Sequence, residues 1–132
     1  MEYVAAYFAS LLLFLAIDIV WIKNVMRPIF ERSLGQFLLP DPLLGPALAF
    51  FVLYHAGLLY FAVLPAVAAG TWTIAALHGG LLGLIAYGTY ETTNLATLRG
   101  WTMRMATIDV IWGCGLSAVS ATAGFFVFTA LA

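Results

Sequence analysis

Three acids stand where an acid is costly. Asp18 lies within "LLLFLAIDIVWIKN", Glu91 within "AYGTYETTNLATLRGW" and Asp109 within "IDVIW". An acid at the centre of a lone membrane helix costs about 2.5–3.5 kcal/mol on insertion scales, and less near the boundary. Such groups persist where they face inward and find partners, and they mark functional sites by default. The chemistry open to them is acid–base work, or polar contact with a proton, a metal or a lipid headgroup. The bland alternative is a hydrogen-bonded knot that fixes helix register.

Their neighbours fit either role. "IDIVW" at Ile17–Trp21 is matched by "IDVIW" at Ile108–Trp112. Five residues read equally as coincidence and as the remnant of an inverted repeat. Tyr87, Glu91 and Asn94 are spaced i, i+4, i+7 and share one face of a helix. Candidate partners for the acids are Tyr87, Tyr90, Asn94, the hydroxyls of Thr92, Thr93 and Thr97, and the indoles of Trp21 and Trp112. Arg99 and Arg104 are expected to reach back from the following turn, where they suit an anionic headgroup.

The elements that carry these residues follow from composition. The chain has 132 residues, 64% hydrophobic and 8% charged. A soluble domain carries about 25% charged residues, so water is not the main solvent here. Residues 42–90 contain no Asp, Glu, Lys or Arg, and neither do residues 110–132. A spanning helix needs about 20 mostly apolar residues, so the first stretch holds two spans and each end of the chain another.

The expected fold is all-α: a polytopic membrane protein forming one domain over residues 1–132, with spans near Val4–Ile22, Pro46–Leu64, Thr73–Leu95 and Met103–Leu131. The second is expected to end near Pro65. Gly100 interrupts the helix before the last span, and Thr102 suits its N-cap. Between Pro28 and Pro40, Phe30, Leu34, Phe37 and Leu38 recur at helical spacing while Glu31, Arg32 and Gln36 fall elsewhere. That pattern predicts a short amphipathic helix in the membrane interface, with an irregular loop as the alternative.

All five basic residues, Lys23, Arg27, Arg32, Arg99 and Arg104, fall in two connections on one side. The positive-inside rule then puts those loops in the cytoplasm and both termini outside. It also argues against a dual-topology dimer. Running inward, outward, inward and outward, the helices bring Asp18, Glu91 and Asp109 to one layer, about 6–10 Å inside the cytoplasmic boundary at 1.5 Å per residue.

Other features are weaker. Met-Glu-Tyr lacks the basic start of a signal peptide, so the first apolar segment is expected to be retained. Near-zero net charge gives no electrostatic case for nucleic acid. One cysteine, Cys114, excludes an internal disulfide and CxxC chemistry. His55 and His78 lie at different depths and make a poor metal set; one histidine with two carboxylates as a facial triad fits badly, and hydrogen bonds to neighbouring helices fit better. No cofactor is indicated. Gly79 and Gly83, with Gly113, Ser117 and Ala121, form small-xxx-small faces suited to packing within the monomer, or to oligomer contact. Trp72 and Trp101 sit where interfacial anchors belong.

"YGTYETTNLATLRGW", with "DVIWG" downstream and an inward-facing D-x-x-W in the first helix, resembles a bacterial family of predicted membrane proteins, domain of unknown function 2177. The likeness covers nearly the whole chain. The family pattern usually has an Asp where this chain has Glu91, so the acid is kept with one more methylene. The resemblance implies a small four-helix protein of the bacterial inner membrane and tilts the ligand towards membrane lipids, without supplying an activity. The leading expectation is a protein that binds or modifies a lipid or other amphiphile at the cytoplasmic leaflet. The alternatives are a non-catalytic accessory subunit docked through its glycine faces and, ranked last, a proton- or ion-coupled carrier.

Overall fold

The computed structural model describes residues 1–35 and 43–132. Phe37, Leu38, Gln36 and Pro40 of the expected interfacial helix lie outside the described residues. Within them the chain is helical: α1 Glu2–Trp21, α2 Arg27–Leu34, α3 Leu44–Leu58, α4 Leu64–Ala69, α5 Trp72–Thr97 and α6 Met103–Leu131.

Two of the expected helix ends are passed through. α1 runs into α2 through a π-helical turn, Ile22–Met26, and α3 runs into α4 through a second, Leu59–Val63. Each turn is followed two residues later by a proline, Pro28 or Pro65. A proline in a helix lacks an N–H, and its ring clashes with the carbonyl four residues back. A π turn shifts the bonding to i→i−5 just before that point, as in Arg27 N–H to Ile22 O and Leu64 N–H to Leu59 O. The backbone absorbs the ring without stopping. Pro65 therefore does not end the second helix, which reaches Ala69. Likewise Arg27–Leu34 continues the first helix rather than following a break at Pro28.

Pro65 also leaves the Phe61 carbonyl without its helical donor. His78 Nδ1 of α5 meets that oxygen at 3.1 Å, so this histidine is a backbone partner, as a neighbouring-helix contact predicts. His55 Nδ1 instead meets Phe51 O of its own helix at 2.8 Å.

The turns close as their residues demand. Gly70, at φ 74°, ends α4 with its N–H on Ala66 O, and Thr71 caps α5 by accepting from Thr73 N–H. Gly100, at φ 89°, separates α5 from α6, and Thr102 accepts from Met105 N–H at 3.1 Å. Both caps supply an oxygen to otherwise unpaired first-turn donors.

α5 and α6 pack most closely. A Cβ on Gly83 would stand 2.5 Å from Gly113 O and 2.7 Å from Ser117 Oγ; one on Gly79 would stand 2.8 Å from Ser117 O. The small-residue faces are thus spent inside the chain, where close backbone approach replaces the hydrophobic drive that lipid cannot supply. α1 lies antiparallel along α6, with Tyr3 edge-on to Phe128 at one end and Ala6 and Ser10 against Gly124.

Burial is inverted relative to a soluble protein. Ser10, Asp18, His55, Glu91, Ser117 and Ser120 are buried, while Leu12, Val20, Leu53, Phe61, Ile85 and Ile111 are exposed. Apolar residues face outward along Glu2–Leu34, Leu44–Ala69 and Met103–Leu131, three helices long and apolar enough to cross a membrane. A bundle with its polar groups inside and its oily groups outside is built for lipid.

Candidate functional site

The site begins with two antiparallel helices. Asp18 on α1 and Asp109 on α6 face one cavity of about 460 Å³, near the end of the bundle where α2 meets the α5–α6 turn. Tyr87 and Tyr90 of α5 complete its polar wall. Ile22, Met26 and Phe30 line it from the first helix, Ala47, Phe50 and Phe51 from α3, and Ala86 from α5. A volume in the range of small-molecule sites, about 300–1,000 Å³, with apolar walls and a few polar groups, is the usual form of a ligand pocket.

Each acid has a different partner. Trp112 donates from Nε1 to Asp18 Oδ1 at 3.0 Å, and its ring stacks on Trp21 with centroids 4.0 Å apart and planes 5° from parallel. Trp101 donates from Nε1 to Glu91 Oε2 at 2.6 Å. Asp109 neighbours Glu91 where α5 and α6 pack together. Glu91 is fully buried and Asp18 is 5% exposed. Buried Trp21 Nε1 and Glu91 Oε1 have no hydrogen-bond partner among the described residues.

The structure thus gathers Asp18, Glu91 and Asp109, with Tyr87, Trp21 and Trp112, at one depth. Glu91 stands behind Asp109 and is not a cavity wall. The i, i+4, i+7 face divides in use: Tyr87 lines the cavity, Glu91 accepts from Trp101, and Asn94 is not part of the cavity lining. Thr92 and Thr97 are not partners of the acids, since their hydroxyls donate to Gly88 O and Thr93 O, the local bond open to a helical threonine.

Arg99 and Arg104 are exposed, and neither lines the cavity. Leu98 is extended and Gly100 turns in the left-handed region, and the side chain this turn folds back onto Glu91 is Trp101 rather than an arginine. Trp101 is therefore not simply an interfacial anchor. Phe30 of α2 packs over its ring at 5.5 Å, and Tyr90 meets it edge-on at 5.9 Å. Sequence reasoning missed this role because helical periodicity does not extend across Gly100. It missed Phe50 and Phe51 because they sit in an evenly oily segment. His55 stays with Phe14 and Phe51, and among the described residues no three His, Cys, Asp or Glu side chains are grouped to hold a metal.

A second hollow, about 490 Å³, lies between α1 and α6 and is lined by Ile17, Trp21, Ile108, Trp112, Leu116 and Val119 among others. It carries no carboxyl, so the chemistry belongs to the first.

The chain belongs to the family described as predicted membrane protein, domain of unknown function 2177 (DUF2177), whose profile matches residues 3–126. No curated protein and no solved structure matches it.

Proposed function

We propose that this protein binds a membrane lipid or other amphiphile in the cavity between α1, α3, α5 and α6, with the polar head at Asp18 and Asp109. The observation that carries this reading is the cavity itself: two carboxyls and two tyrosyl hydroxyls in a lining that is otherwise apolar. An amphiphile has that same division. Trp112 and Glu91 act as positioning residues, one holding Asp18 and the other Asp109. Arg99 and Arg104 lie outside the cavity, so neither offers an anionic head a cation there.

In this reading all four long helices cross the inner membrane of a bacterium. α5 has 26 residues, about 39 Å of helix against about 30 Å of hydrocarbon, and it is locked onto α6 through Gly79 and Gly83. The positive-inside rule supports a cytoplasmic position for the end that carries the five basic residues, with both termini outside. α2 then lies among the headgroups, with Phe30 and Leu34 turned to the bundle and Glu31 and Arg32 to water. A subunit role through the glycine faces has lost its surface, because those faces already pack against each other.

The test is intact mass after gentle extraction. An amphiphile-sized adduct should be retained by the natural chain, reduced in Asp109→Asn, and absent from Ala86→Trp, which fills the cavity without touching an acid. An adduct that survives Ala86→Trp in a folded protein places the ligand elsewhere and defeats the reading.

A further inference from the structure

The cavity's walls narrow the ligand's chemistry further, given that the amphiphile reading holds. Asp18 and Asp109 line it, and Glu91 stands directly behind Asp109 with Oε1 lacking any partner among the described residues. Donors to these acids come from two indoles, at Asp18 and at Glu91. No lysine or arginine is among the lining residues. An indole N–H satisfies one lone pair and carries no net charge, so neither of these donors balances a carboxylate's charge.

The remaining walls supply what a cation finds favourable. Phe30, Phe50, Phe51, Tyr87 and Tyr90 bring five aromatic rings to the same space as the two carboxyls. The face of an aromatic ring attracts an ammonium within about 6 Å, and more strongly once water is excluded. Carboxylates beside aromatic faces are the complement of an alkylated amine. They repel a phosphate or carboxylate head, which would stand against like charge without a balancing donor. A neutral alcohol head gains hydrogen bonds here, but gains nothing from the rings.

We infer that the ligand is an ammonium-bearing amphiphile, its cationic head held between Asp18 and Asp109 against the rings of Phe50 and Tyr87, its chain directed along Met26 and Phe30. Asp18, fixed by Trp112, is the permanent contact. Asp109, beside Glu91, is the second contact on the cavity lining.

The experiment titrates the purified full chain, in a neutral detergent, with three probes of equal chain length: dodecyltrimethylammonium, dodecanol and dodecyl phosphate. Bound probe is counted by native mass spectrometry. The ammonium probe should bind at least about tenfold more tightly than the other two, a difference of about 1.4 kcal/mol. Asp109→Asn should remove that margin. Phe50→Leu, which removes one ring from the lining and keeps an apolar side chain, should weaken the ammonium probe about threefold, as expected from the loss of one ring, and weaken dodecanol less. If dodecanol or dodecyl phosphate binds as tightly as the ammonium probe, the cationic assignment is overturned while amphiphile binding stands. If none of the three binds, both fall. A preference for ammonium that survives both substitutions places the cation outside this cavity and also overturns the inference.

Discussion

The contact between Asp18 and Trp112 can be taken apart with little change of shape. Trp112→Phe keeps an aromatic ring against Trp21 and deletes the one N–H that reaches Asp18 Oδ1 at 3.0 Å. Two scales bound the cost. Hydrogen bonds to charged groups contribute about 1.5–3 kcal/mol in soluble proteins. Interhelical bonds in membranes average about 0.6 kcal/mol and reach about 1.7, because the unfolded helices also find partners there. Asp18 is 5% exposed, which favours the upper part of the membrane range, so the expected coupling is about 1–1.5 kcal/mol. Asp18→Leu and the double variant complete the cycle, and the coupling isolates the bond from the cost of inserting an acid. The assay is unfolding in mixed micelles over a series of dodecyl sulfate mole fractions, followed by far-ultraviolet circular dichroism. A coupling below about 0.5 kcal/mol, the usual scatter of additive sites, would mean that Trp112 does not hold the acid.

Two further outcomes test the scaffold. Gly83→Ala should destabilise by about 1–3 kcal/mol, the range for overpacking, because its Cβ would meet Gly113 O at 2.5 Å; Gly88→Ala, with nothing within 4 Å, should not. Equal unfolding midpoints for the two would refute the close α5–α6 approach. His78→Phe should cost about 1 kcal/mol by leaving Phe61 O unpaired. Pro65→Ala, which restores an N–H four residues on, should recover part of that loss, and no recovery would disprove the proline–histidine pairing.

The residues that sequence reasoning placed well share one property: their signal is local or periodic. The oily runs, the Thr102 cap, the Gly100 break and the small-xxx-small faces each depend on spacing along one helix. Depth was legible too, because rise per residue converts position into height, and the three acids do lie together. Azimuth was not. Whether Arg99 or Trp101 turns back onto Glu91 depends on a left-handed glycine between them, and periodicity does not cross it. The two prolines misled for the opposite reason. Their local meaning, a helix end, was overridden by π turns that no residue type announces. The apolar half of the cavity was invisible because Phe50 looks like any lipid-facing phenylalanine until α1 and α5 are in place beside it.

The paired fragments bear on whether the cluster is scaffold or site. The antiparallel α1 and α6 carry the same D-x-x-W, and the Trp21 and Trp112 rings stack on each other. Matched roles would have each aspartate accept from the opposite indole, closing a satisfied knot. Only one of those bonds exists. Trp112 serves Asp18, while Trp21 Nε1 and Glu91 Oε1 have no partner among the described residues. A buried donor or acceptor left unpaired costs about 1–3 kcal/mol, and each such group in a folded protein calls for a reason. A cluster that served only to fix helix register would gain stability by closing the second bond. Keeping Asp109 on the cavity wall, at that cost, makes sense if the carboxyl must be free to meet something that enters.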